Sequence, residues 1–203
     1  MSSIPVDDTV SWKSTHPDDL WVFDKLILAK KLGYQCGPKG LDVPLPGRYI
    51  VRPCVNIMGM GRGARLVDLH DSTLCLPDGF FWCEEFKGRH LSVDYTAGKQ
   101  VLCVEGIREA QAPLWMWSEW KRVSDTIEFP RELEPLLKHN RHINIEFIGN
   151  KVVEVHLRHN PDFSGTNYQS IIPVFNFSPI SKPKGYTFIK NKDYMRIGFY
   201  VRS

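Results

Sequence analysis

The sequence predicts an α+β chain built mainly on antiparallel sheet. Strand-like segments outnumber helical ones, short turns join several of them, and residues 144–158 read as a complete hairpin. With 203 residues, the chain has room for one well-filled domain or two small lobes sharing a cleft.

The hairpin is the most informative stretch. Along its first strand Ile143, Ile145 and Phe147 alternate with Asn144 and Glu146; along its second, Val153, Val155 and Leu157 alternate with Glu154, His156 and Arg158. Alternation sends the polar groups to one face and the apolar groups to the other. A three-residue loop at Gly149, Asn150 and Lys151 puts Glu146 directly opposite Glu154, whereas a two-residue turn sends the two to different faces. Opposed carboxylates repel unless positive charge sits between them, and a divalent cation is the obvious candidate.

The other elements follow in chain order. Residues 1–16 read as a loosely ordered leader. Residues 17–32 suit a helix: Ser14 or Thr15 can cap it, Asp18 and Asp19 fit its first turn, and Gly33 can end it. Residues 36–48, rich in Gly and Pro, read as a linker or turn. Residues 49–55 form a strand in which Pro53 marks an edge or an end, and a short strand follows at 64–69. Segments 80–86, 91–95 and 100–107 read as an antiparallel run, turning at Lys87-Gly88 and at Ala97-Gly98. The aromatic stretch 114–120 suits a core or a lid. Residues 132–138 suit a helix weakened by Pro135, and short strands are expected at 187–189 and 195–201.

Composition excludes several classes. At 42% hydrophobic and 24% charged, the chain is neither disordered nor membrane-embedded in character, and no apolar run approaches the roughly 20 residues that span a bilayer. The N-terminus lacks the basic and apolar regions of a secretory signal. Five cysteines without paired CxxC spacing suit a reducing compartment, so a cytoplasmic location is expected. They read as small buried residues. A net charge of +3 is too mild to imply nucleic acid and is compatible with an anionic small molecule.

Several groups can carry chemistry. Gly59, Gly61 and Gly63 flank Met60 and Arg62 directly after a strand, letting backbone N–H groups approach an anion. This run matches neither the Walker loop nor the dinucleotide fingerprint. Arg52 stands among aliphatic residues just before it and can hold a polyphosphate with it. Glu84 and Glu85, at a strand end, can take the exocyclic amine of a purine. His90 and His156 lack zinc-site spacing. Two carboxylates with a histidine or amide suit magnesium or manganese instead, which bring phosphates with them. No nucleophile motif is present.

The order of these segments resembles the ATP-grasp superfamily across residues 20–162. Asp24-Lys25 matches its basic helix position, and Ile50-Val51-Arg52-Pro53 its phosphate strand. Gly59-Met60-Gly61-Arg62-Gly63 is similar to its glycine lid, and Glu84-Glu85-Phe86-Lys87-Gly88-Arg89-His90-Leu91-Ser92-Val93-Asp94 to its hinge. Asn144-Ile145-Glu146-Phe147 and Glu154-Val155-His156-Leu157-Arg158 are similar to its closing hairpin, with His156 where the family usually has asparagine.

The resemblance implies two small α+β lobes with antiparallel sheets enclosing a nucleotide cleft. Residues 17–110 would form the lobe with the glycine loop and hinge, and 111–203 the lobe with the metal hairpin. It implies ATP and Mg2+ (or Mn2+) as cofactors. Lys25, Arg52, Gly59, Gly61, Arg62 and Gly63 would contact phosphates, and Glu84, Glu85 and Phe86 would line the adenine hinge with His90 near the ribose. Glu146, Glu154 and His156 would hold the metal, and Arg52 and Arg158 would face the transferred phosphoryl group. The implied activity is a carboxylate–amine ligase working through an acyl phosphate, on a small-molecule or peptide carboxylate and an amine acceptor. The family's N-terminal α/β domain is not apparent, so a partner protein or a second copy is expected to supply substrate contacts. The alternatives are a kinase-like phosphotransferase on the same site and a non-catalytic nucleotide- or nucleic-acid-binding module. The latter rests on interleaved basic and aromatic residues at 182–192, which also suit a lysine-protected edge strand.

Overall fold

The computed structural model describes residues 6–56, 61–178, 180–191 and 195–203. The chain runs through helix α1 (Val6–Ser14), a 3-10 segment (Pro17–Phe23) and helix α2 (Lys25–Lys31). Strands β1 (Cys36–Pro38), β2 (Gly47–Pro53), β3 (Arg65–Leu69) and β4 (Phe80–Glu84) follow, then β5 (His90–Thr96), β6 (Lys99–Ile107) and β7 (Glu119–Arg122). After a second 3-10 segment (Arg131–Lys138) come β8 (His142–Ile148), β9 (Lys151–His156), β10 (Ser170–Phe175), β11 (Thr187–Ile189) and β12 (Arg196–Arg202). They form two sheets, ordered β1-β4-β2-β3 and β11-β12-β10-β7-β6-β5-β8-β9. All named pairings are antiparallel, so the class is α+β as the sequence predicts.

The helix expected over 17–32 is two pieces. Asp24 takes an extended conformation (φ −95°, ψ 106°), and its Oδ1 accepts the N–H groups of Leu26 and Ile27 at 2.9 and 3.1 Å. It ends the 3-10 segment and caps α2. His16 caps the 3-10 segment, accepting the Asp18 N–H at 3.3 Å. Ser14 and Thr15, the caps expected from sequence, donate to carbonyls of α1 instead. Residues 6–14, expected to be loose, are helical, and Trp12 packs edge-on against Phe23.

β4 and β5 do not form a hairpin. Residues 87–89 cross from one sheet to the other, and β5 and β6, expected in the first lobe, hydrogen-bond within the eight-stranded sheet. The crossing presses onto the β8–β9 turn, where the Gly149 N–H donates to the Arg89 carbonyl at 2.9 Å. Gly88 (φ +125°) and Gly149 (φ +60°) both need glycine conformations, and a Cβ on Gly149 would stand 2.6 Å from the Lys87 carbonyl oxygen. β10 is hidden from sequence reasoning because Pro173 and a continuous apolar run mask its alternation. β11 is an edge strand, and Lys192 of the basic stretch lies outside the described residues.

The hairpin closes differently from expectation but reaches the expected pairing. Ile148 faces Lys151 across a two-residue turn, and a bulge then shifts the register so that Glu146 faces Glu154. Val152 and Val155 both enter the core while Val153 faces the cleft, so the strict alternation read for β9 fails there. The core proper lies on the opposite face of the sheet. There Leu91, Val93, Tyr95, Ile143, Ile145 and Phe147 pack against Val22 and Leu28 and against Leu133 and Leu136 of the second 3-10 segment. Cys75 is exposed, against expectation. Among the described residues no helix is long and apolar enough to cross a membrane.

The glycine contact at the crossing is open to test. Gly165 has φ +71° with nothing within 4 Å of an added Cβ, so Gly165→Ala isolates the conformational cost of about 1 kcal/mol. Gly149→Ala adds a backbone collision and is expected to cost about 2–4 kcal/mol in urea unfolding. Equal costs for the two would contradict the contact.

Candidate functional site

The inward faces of the two sheets enclose a cleft of about 750 Å³. Side-chain alternation supplies its walls: β2 turns Ile50 and Arg52 into it, and β8 turns Asn144, Glu146 and Ile148.

At one end lies a charged centre. Lys25, the first residue of α2 and only 4% exposed, places Nζ 2.9 Å from Glu154 Oε2 and donates to Asn56 Oδ1 at 2.8 Å. Asn56 Nδ2 donates to the other Glu154 oxygen. His156 Nε2 lies 3.6 Å from Glu154 Oε1 and 4.0 Å from Glu146 Oε1, and His90 Nε2 lies 3.1 Å from Glu146 Oε2. The like-charge pair is therefore offset by one ammonium and two imidazoles. Burial by itself raises the Glu146 pKa. The His90 hydrogen bond and the charges of His90, His156 and Lys25 outweigh it and hold Glu146 at about 2.

Arg52 is buried over the Phe81 ring at 5.2 Å, and its Nη1 donates to the Val153 carbonyl at 3.0 Å. This bond joins the two sheets at the bulge. Burial pulls the guanidinium pKa down, while nearby Cys83, Glu154 and Glu146 oppose the shift. Its Nε has no hydrogen-bond partner among the described residues. Arg158 lines the cleft beyond His156, and its Nη1 donates to the His159 carbonyl at 3.2 Å.

At the hinge the expected residues separate. Glu85 and Phe86 line the cleft, and Ile50, Leu66, Phe86 and Ile148 make an apolar slot. Glu84 is engaged elsewhere. Its carboxylate accepts the Gln35 N–H at 2.9 Å, and its own N–H donates to the Gln35 carbonyl at the same distance. Of the glycine loop, Gly59 lies outside the described residues. Gly61 (φ +67°) and Gly63 (φ +83°) adopt left-handed conformations, and buried Arg62 sits over the Trp115 ring at 4.9 Å.

Sequence reasoning missed Asn56, which bridges Lys25 and Glu154. It also missed the buried network in which Asn144 Nδ2 donates to Ser92 Oγ and Asp94 Oδ1 at 2.8 and 2.9 Å, with the Asn160 N–H on Asp94 at 2.8 Å. A single asparagine after a strand carries no local signal. A small polar triad on β5 and β8 becomes visible only once those strands pair.

Glu146 and Glu154 offer hard oxygen donors, and His156 adds a nitrogen beside both. This donor set fits Mg2+ or, with the imidazole, Mn2+. The three do not contract to a formed ligand set. Among the described residues, the group whose donor atoms all lie within 4.8 Å of one another is His16, Asp18 and His139.

The sequence matches no protein-family model and no curated protein. Several solved structures are similar, among them the following three. A protein of Archaeoglobus fulgidus ascribed to the ATP-grasp superfamily has a TM-score of 0.47 at 16% identity, covering 90% of this chain and 63% of its own. The L-amino acid ligase of Bacillus licheniformis has 0.49 at 10%, covering 89% and 66%. The N5-carboxyaminoimidazole ribonucleotide synthetase of Thermotoga maritima also has 0.49 at 10%, with the same coverage. The chain thus spans less than two thirds of the length of each.

The electrostatics of Glu146 set a pH dependence. Its folded pKa, about 2, lies below the ordinary value of 4.5. The stability it contributes is therefore complete above pH 4.5 and is lost as pH falls from 4.5 towards 2. In metal-free buffer, Glu146→Gln is expected to flatten the stability profile in that window, as read by urea midpoints. A wild-type and a variant profile that stay parallel through the window would contradict the assignment.

Proposed function

We propose that this chain is an ATP-dependent carboxylate–amine ligase of ATP-grasp type. One observation carries the reading: Lys25, Arg52, Glu146, Glu154 and His156, drawn from α2 and both sheets, converge at the charged end of a cleft whose hinge end is apolar. That division matches the two ends of a nucleoside triphosphate. The order of motifs along the sequence supports it independently.

The adenine ring seats in the slot of Ile50, Leu66, Phe86 and Ile148, beside Glu85 and towards His90. The phosphates run to Lys25 and Arg52 beneath the glycine loop. Lys25 has three donors and spends two of them on Glu154 and Asn56, so the third can donate to phosphate oxygen. Glu146, Glu154 and His156 hold Mg2+ or Mn2+, which when bound neutralises charge on the phosphates. Arg158 faces the γ-phosphoryl group.

In the first step a carboxylate oxygen of the substrate attacks the γ-phosphorus and ADP leaves, giving an acyl phosphate. The amine nitrogen then attacks the acyl carbon, inorganic phosphate leaves, and the nitrogen loses a proton. Both steps build negative charge on phosphate oxygens, and the fixed cations Arg52, Lys25 and Arg158 are aimed at that charge before the reaction begins. Arg62 stacked on Trp115 holds the glycine loop against the eight-stranded sheet, which keeps water from the acyl phosphate. No side-chain nucleophile is required.

Mg-ATP at 100 times its dissociation constant stabilises a one-site protein by about 2.7 kcal/mol, a melting shift of several degrees for a chain of this size. The expected outcome is such a shift in the wild type and a loss of more than half of it in Glu154→Gln and in Arg52→Ala. The wild type is expected to release ADP and phosphate only when a carboxylate and an amine are both supplied. Absence of any nucleotide shift in the wild type would overturn the reading, and ADP release without phosphate would redirect it to a phosphotransferase.

A further inference from the structure

From the carboxylate pair on β8 and β9 the cleft extends across β5 onto β6, β7 and β10, and its wall changes character there. Trp117 and Trp120 pack at 4.9 Å, Trp117 meets His90 edge-on at 4.5 Å, and His90 is the group that reaches Glu146. Trp115 stands edge-on to Phe175 at 5.9 Å, with Pro173 of β10 beside them in the lining. An apolar wall thus begins one side chain away from the charged centre.

The wall is built on Gly106. A Cβ at this position would meet Trp117 and Trp120 at 2.8–2.9 Å, and the backbone there is not in a left-handed conformation. Space for the indoles, and not conformational freedom, is what requires glycine at this point of β6. Arg108 lines the same end of the cleft, its Nη1 donating to the carbonyls of Glu109 and Ala112, which fixes the guanidinium in place. All three tryptophans are only half-buried, so ring surface faces the cleft. Hydrated indole faces beside the charged centre favour a ligand whose apolar body covers them.

Building on the ligase reading, we infer that the carboxylate activated by this chain carries a large aromatic or branched apolar group. That group seats against Trp117, Trp120 and Phe175, and its carboxylate points past His90 towards the phosphoryl site. The adenine has its own slot at the hinge, so the wall serves the second substrate. A short hydrophilic acid leaves the indoles hydrated and gains nothing from them.

Calorimetry on the full chain, with and without Mg-ADP, compares 3-phenylpropionate with propionate, while the Mg-ATP melting shift is read in parallel. Phenylpropionate is expected to bind at least about tenfold more tightly, the ratio that burial of one ring supplies. Trp117→Leu and Gly106→Ala are each expected to cut that ratio below about threefold and to keep the Mg-ATP shift, which also shows that the variants fold. Equal affinities for the two acids in a wild type that Mg-ATP does stabilise would overturn the inference and leave the ligase reading standing. Loss of the Mg-ATP shift in Trp117→Leu, to the degree seen in Glu154→Gln, would also overturn it, because the wall would then belong to the nucleotide. A wild type that Mg-ATP does not stabilise overturns the ligase reading itself, a separate result.

Discussion

Glu146 and Glu154 face one another across two strands, and the surrounding architecture compensates for that repulsion. Carboxylates withdrawn from water are costly unless cations and donors reach them. Lys25 comes from the start of α2, Asn56 from the end of the four-stranded sheet, His90 from β5 and His156 from β9 itself. Satisfying two carboxylates thus fixes where α2 and the smaller sheet dock on the larger one.

The junction between the sheets depends on close backbone approach. Residues 87–89 touch the β8–β9 turn through Gly88 and Gly149, and Arg52 reaches across to the Val153 carbonyl that the bulge exposes. Tyr34 adds a third tie by accepting the Val152 N–H at 3.0 Å while packing edge-on against Phe86 at the hinge. Each tie falls at one end of β9 or at its bulge, so the geometry of that strand controls the width of the cleft.

The cleft divides its chemistry by region. Lys25 and Arg52 reach β9, indole rings gather over β6 and β7, and His90 stands between, touching Glu146 on one side and Trp117 and Trp120 on the other.

The strand segments are legible because alternation is a local property: a period of two in Ile143, Ile145 and Phe147 sorts core from cleft whatever the strand pairs with. For the same reason the sequence by itself marks Arg52, Glu85, Glu146, Glu154 and His156 as polar groups on strands or strand ends. It cannot decide that β4 and β5 belong to different sheets, because a turn at Lys87-Gly88 looks the same whether the chain doubles back or crosses over. Nor can it foresee the bulge at Val153, which arises because Val152 and Val155 both gain by entering the core. Glu84 looks like a purine contact from its place at a strand end, but its carboxylate is claimed by the Gln35 backbone, a partner 49 positions away in the chain. Local periodicity is written in the sequence; pairings between distant segments, and the charge balance they create around Glu154, are decided only when the two sheets close on each other.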